Sequence, residues 1–310
     1  MDYRLHENGW TVMLDDFDLR TATQDDINHI ARLLASNTCV VAKKQSLTVE
    51  DELRIINMFK SPLVFPEVPG KDRLVVPGTE SKIIRVTGEL DEHGAPGMFG
   101  HVSDLDWHCN QPDVPKREPL VWLYGVHGTK GSRTSWTNNI LSYNDLDQST
   151  KDLLDPLEGI FGHEFGRFTA MRFEFIPEKF VNPAYTPRIV HTNIAGKTGL
   201  FFPFLQLFYF KGMTEDESRP IIDMVAQHIT QDKYCYHHDW DDGDVVLSEQ
   251  WLGIHKRWKF DGIANRLVHR AVFRFPDQNY QKSVIAEFAI KSHSGLSGII
   301  PAIQTLLPML

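Results

Sequence analysis

The chain has 310 residues, 42% hydrophobic and 24% charged, enough to bury a sizeable core. Its net charge of −9 argues against a general nucleic-acid binder, because neutralising a phosphate backbone takes a basic surface. Three cysteines, Cys39, Cys109 and Cys235, form an odd set without metal-ligand spacing, which argues against a disulfide framework.

In chain order, the start Met1-Asp-Tyr-Arg-Leu-His6 lacks an apolar secretory core. Thr23 caps a predicted helix with Asp25 and Asp26 in its first turn and Ile27, Ile30, Ala31 and Leu34 on one face. Residues 38–42 read as a short buried strand. Thr48 caps a second helix, with Glu50, Asp51 and Glu52 at its positive end and Leu53, Ile56 and Phe59 on one face. Pro62, Pro66, Pro69 and Gly70 end that helix in a loop. Residues 82–87 read as a strand, and 94–100 as a glycine-punctuated loop.

Residues 119–127 form a strand, 128–133 a turn, and 134–137 resume extended structure. A helix is expected over 141–157, with Tyr143, Leu146, Leu153 and Leu154 in the core. Residues 168–175 alternate loosely, 187–193 look like a strand, and 199–210 like a buried one. The last of these carries Pro203 and Gln206 and is too short to span a bilayer. Thr214 and Glu217 form a capping box for a helix with Ile221, Met224, Val225 and His228 on one face. Residues 240–244 turn into a strand at 245–247, and 264–275 form a strand carrying three arginines.

Helices first, then many strands separated by turns, predict a mainly β protein with flanking helices, a jelly-roll barrel. No Gly-rich linker divides the chain. One domain over 1–310 is expected, with an N-terminal helical part (about 1–80) and a C-terminal extension (about 277–310) suited to packing or subunit contact. The expectation is a soluble cytoplasmic protein without nucleic-acid or membrane partners, with a homo-oligomer left open.

The chemistry centres on Asp104-Leu-Asp-Trp-His-Cys-Asn110. On an extended segment, His108 and Asn110 share a face. That spacing brings two ligands to iron in a two-His, one-carboxylate facial triad, with His255 far downstream as the third. Here the carboxylate position holds Asn110. An amide oxygen is a neutral, weaker donor, so a two-His site completed by water, a halide or another side chain is the other reading. Asp104 and Asp106 are minor candidates, with Asp106 on the His108 face. His237-His238-Asp239 formally contains a His-x-Asp, but it stands just before the Trp240 turn and reads as loop.

Taken together, Trp107-His-x-Asn110, Gly131-x-x-Thr134, Trp240-x-x-Gly-Asp244, Glu249-Gln250 before His255, and Asn265-Arg-Leu-Val-His-Arg270 resemble the taurine dioxygenase-like (TauD/TfdA-like) oxygenases. Family members carry His-x-Asp at the first motif and Asp-Asn where this chain has Glu249-Gln250. The resemblance implies a double-stranded β-helix (jelly-roll) barrel, Fe(II) bound by His108 and His255, and 2-oxoglutarate bound by Thr134 and Arg266. It places Arg270 against an anionic substrate, on the same strand face as Arg266. His191 is a further candidate for the pocket wall. The implied activity is hydroxylation of a small polar or anionic molecule. A catalytically silent scaffold and a halogenating variant are the alternatives, both prompted by Asn110.

Overall fold

Residues 1–64, 74–90, 99–100, 103–113, 119–162 and 184–276 are described by a computed structural model. The expected alternating stretch at 168–175, most of the loop at 94–100 and the extension from 277 lie outside them.

The N-terminal part is not purely helical. Two strands too short for alternation to flag, β1 (Tyr3–Leu5) and β2 (Val12–Leu14), pair antiparallel. Helix α1 (Gln24–Asn37) starts at the expected Thr23 cap, with Asp26 returning the hydrogen bond. It ends at Thr38, whose left-handed φ of 62° delays the next strand, β3 (Cys39–Ala42), by one residue. Thr48 and Asp51 cap α2 (Val49–Met58) in the same way.

Next come β4 (Ile84–Thr87), β5 (Leu105–His108), β6 (Leu120–His127) and β7 (Arg133–Thr137). The helix expected over 141–157 is two. Asn138 caps α3 (Asn139–Asn144), and the Asp147 carboxylate caps α4 (Gln148–Leu154) by accepting from Thr150 N–H at 2.8 Å. Leu154 is buried, but Leu153 is 43% exposed, contrary to expectation.

Strands β8 (Gly159–Phe161), β9 (Val190–Thr192), β10 (Thr198–Leu200) and β11 (Leu207–Phe210) follow. The apolar run at 199–210 is broken because Pro203 O accepts from Gln206 N and Leu207 N in a turn. Thr214 and Glu217 form the predicted box for α5 (Glu215–Ile229). Its buried face is Ser218, Ile222, Val225 and Ile229, rotated from the expected one, so Met224 is exposed. The last strands are β12 (Cys235–Asp239), β13 (Val245–Glu249), β14 (His255–Arg257) and β15 (Leu267–Phe273).

Among the described residues, seven strands form one sheet, β1-β2-β3-β13-β6-β15-β4, and four form another, β12-β7-β14-β5. The period of two divides the larger sheet between two cores. Val40, Trp122, Leu247 and Phe273 pack with Ile30, Leu34 and Ile55 of α1 and α2. Residues of opposite parity, Val41 and Val246, pack with Trp136 and Tyr236 of the smaller sheet, and Val268 packs with Leu105. The two sheets therefore face each other, with the helices on the outer side of the larger one. The chain is mainly β with few helices, and among the described residues no helix is long and apolar enough to cross a membrane.

Candidate active site

Strand β14 lies between β5 and β7, and its register sets His255 opposite His108 on one side and Trp136 on the other. The two imidazole centroids are 4.2 Å apart. His108 Nδ1 is 2.6 Å from the Asp106 carbonyl oxygen. A carbonyl only accepts, so Nδ1 carries the proton and Nε2 keeps its lone pair. Burial pushes the His108 pKa down to about 4 against the Asp106 bond, and Arg270 and Arg257 add to the depression. Burial and the neighbouring His108 push His255 well below its ordinary value. Both rings are therefore neutral at neutral pH, the form that ligates a metal.

Strand β5 stops at His108, so Asn110 is not held by strand pairing. Two buried glutamines replace it. The Gln206 amide accepts from Cys109 N and donates to Cys109 O, each at 3.0 Å, and Gln250 Oε1 accepts from Asn110 N at 2.7 Å. The Asn110 side chain is buried, and its Nδ2 has no hydrogen-bond partner among the described residues.

Thr134 of β7 and Arg266, just before β15, reach the same space. Arg266 is 2% exposed, and its Nε donates to Ser132 Oγ at 3.2 Å while Nη1 finds no partner among the described residues. Burial, reinforced by Arg257, lowers its pKa to about 9. One pocket is lined by His108, Asn110, Thr134, His255, Arg266 and Arg270, with Val86, Phe99, Leu105, Leu123, Arg257 and Val268. Arg266, Val268 and Arg270 share parity, and the last two point inward from β15.

Other candidates fall elsewhere. His191 does not line this pocket; its ring stacks on Trp251 at 4.3 Å. Asp106 and Asp104 lie 3.1 and 3.4 Å from Lys256 Nζ. The 237–239 stretch, expected as loop, is strand β12, paired residue for residue with β7, and it too is absent from the pocket wall. Glu249 is engaged by the backbone N–H groups of Trp251 and Leu252. Sequence reasoning missed Arg257, whose guanidinium donates to the carbonyls of Phe99 and Ser103. Its place two residues after His255, on the same strand face, was the available signal.

Among the described residues no group of three His, Cys, Asp or Glu is placed to hold a metal. The donors at hand are two neutral imidazoles and the Asn110 amide oxygen, a set that suits a borderline divalent ion such as Fe(II). The unpartnered Arg266 Nη1 beside them suits a carboxylate.

The family model for taurine catabolism dioxygenase TauD, TfdA family matches residues 5–272. The alpha-ketoglutarate-dependent 2,4-dichlorophenoxyacetate dioxygenase of Cupriavidus pinatubonensis is 22% identical over 268 residues, covering 83% of this chain and 92% of that protein. Pentalenolactone F synthase of Streptomyces avermitilis is 22% identical over 213 residues, 64% of this chain and 70% of its own. In fold, the crystal structure of AAD-2 in complex with Mn(II) and N-oxalylglycine superposes with a TM-score of 0.73 at 18% identity. That match covers 89% of this chain and 98% of the other. The chain belongs to the TauD, TfdA family and is an enzyme of the Fe(II)- and 2-oxoglutarate-dependent dioxygenases.

Proposed function

We propose that this enzyme hydroxylates a small polar or anionic molecule. In this reading His108, His255 and the Asn110 amide oxygen hold Fe(II), Thr134 and Arg266 hold 2-oxoglutarate, and Arg270 meets the substrate. The observation that carries it is the convergence of those six side chains on one pocket. The facing sheets support a further reading, that the fold is the double-stranded β-helix (jelly-roll) barrel of one oxygenase-like domain.

Dioxygen is the oxidant: bound iron would activate it, and 2-oxoglutarate would supply two electrons as it is decarboxylated to succinate and carbon dioxide. The chain's own residues bind, orient and keep water out. Among the described residues, three guanidiniums, Arg257, Arg266 and Arg270, and no acid line the pocket, so their field draws anions in. Arg266 presents a free fork nitrogen to a carboxylate, and Thr134 offers its hydroxyl hydrogen. His191 is left out of the contacts because its ring is taken up by Trp251.

Anaerobic addition of Fe(II) and then 2-oxoglutarate should produce a weak visible charge-transfer band, which appears only when both occupy one site. Absence of the band would overturn the assignment. Arg266→Lys keeps the charge but loses the fork. It should weaken 2-oxoglutarate binding by roughly one to two decades, the worth of a charge-assisted hydrogen bond; unchanged affinity would remove Arg266 from the co-substrate.

Asn110→Asp supplies the missing negative donor. It should tighten Fe(II) binding, with succinate formation kept or increased. Tighter iron with less succinate would point instead to a pocket built for a neutral residue, with halide-dependent turnover in the wild type as its mark. The neutral Asn110 also favours a second reading, a catalytically silent binding protein. That reading stands if neither protein binds iron.

A further inference from the structure

Behind the pocket wall lies a buried aromatic residue that none of the proposed ligand contacts uses. Trp240 is 1% exposed, and its Nε1–H donates to Thr134 Oγ1 at 3.0 Å. An indole N–H can only donate, so it occupies the Thr134 oxygen as an acceptor. The hydroxyl hydrogen must then point away from the indole, and Thr134, 3% exposed, borders the pocket. Above the same indole lies the Arg266 guanidinium, 6.0 Å from the ring centroid. Trp240 also ties to Arg266 through Ser132, whose carbonyl accepts from Trp240 N at 3.1 Å and whose Oγ accepts from Arg266 Nε.

The indole is held in turn by a buried polar pair. His238 meets Trp240 edge-on, with centroids 4.7 Å apart and planes at 87°. Its Nδ1 is 2.9 Å from the Tyr236 hydroxyl and its Nε2 3.1 Å from Asp244 Oδ2. Asp244 is fully buried and accepts from the backbone N–H groups of Asp241 and Lys44. The turn that carries this pair needs Gly243, whose φ is 90°, because a Cβ there would sit 2.5 Å from Gln45 O.

We propose that Trp240 is a positioning residue for the co-substrate. It turns Thr134 into a hydrogen-bond donor facing the 2-oxoglutarate carboxylate beside Arg266, and the His238–Asp244 pair holds the indole in that orientation. The proposal rests on the reading that Thr134 and Arg266 hold 2-oxoglutarate.

The test is a double-mutant cycle read by binding: anaerobic Fe(II)-loaded protein titrated with 2-oxoglutarate, followed by its visible band. Trp240→Phe keeps a ring but removes the N–H, and should weaken 2-oxoglutarate about threefold to tenfold, the worth of one neutral hydrogen bond. Fe(II) affinity should not change. Thr134→Val should cost a similar factor, and the double variant no more than Thr134→Val alone. An unchanged affinity in Trp240→Phe, or losses that multiply in full, would overturn the proposal. If Trp240→Phe fails to fold, the assigned Trp240 indole proton resonance serves instead: it should move upfield in Thr134→Val, and a fixed resonance overturns the proposal. A wild-type protein without the band indicts the functional reading itself rather than Trp240.

Discussion

Replacing His255 with alanine is expected to abolish the Fe(II)–2-oxoglutarate band while leaving the chain folded. His255 supplies one of the two imidazoles at the site among the described residues, and its partner His108 lies across the β5–β14 register at 4.2 Å between rings. What remains, one imidazole and one neutral amide, is a poor ferrous site. Loss of an outer-shell partner alone costs about tenfold to a hundredfold in metal affinity, and loss of a direct donor costs more. The fold should survive because β14 is held by backbone pairing to β5 and β7, which the substitution leaves in place. An iron titration with the visible band, beside a far-ultraviolet circular dichroism spectrum, reads both halves. A folded variant that still gives the band would take His255 off the metal.

The largest stability effect is expected at Glu52, well away from the pocket. Its side chain is 1% exposed, and Oε2 accepts from Trp122 Nε1 at 3.2 Å while Oε1 meets His269 Nδ1 at 2.7 Å. It thereby joins α2 to two central strands, β6 and β15. Glu52→Leu leaves two buried donors without an acceptor and should cost about 3–5 kcal/mol, the range for breaking a buried pair from one side. At about 2–4 °C per kcal/mol, the melting temperature should fall on the order of 10 °C. Glu52→Gln keeps an acceptor for one of the donors and should lose less. Thermal melts of the metal-free proteins test the order. A Glu52→Leu loss of under about 1 kcal/mol would mean that the pair does not tie helix to sheet.

Glu52 also marks the limit of local reading. In the sequence it is one of three acids at a helix start, and the dipole accounts for it; only the packed sheet makes it a buried acceptor. The same division runs through the site. The caps at Thr23, Thr48 and Thr214 are legible because a cap is made by residues three positions apart. The strand at 119–127 and the Gly131 turn are legible for the same reason, and the order of motifs from Trp107 to Arg270 is legible as a family resemblance. His108, His255, Thr134, Arg266 and Arg270 were legible through the resemblance that those motifs carry, and the structure gathers them in one pocket.

What the sequence could not decide depends on partners far along the chain. Asn110 is aimed by Gln250, 140 positions away, and by Gln206, which holds the neighbouring Cys109 from 97 positions away, and no local pattern announces such bonds. His237-His238-Asp239 looked like loop because a turn follows it, but its backbone is claimed by β7, 102 positions away at the Ser135–His237 contact. The buried face of α5 is rotated because what it packs against, not its own periodicity, selects among neighbouring apolar stripes. His191 sits on the indole of Trp251 rather than in the pocket because ring stacking there needs only that the two meet in space. Residues in the sequence determined the segments and the chemistry within reach; long-range pairing and burial alone decided which side chains share the pocket.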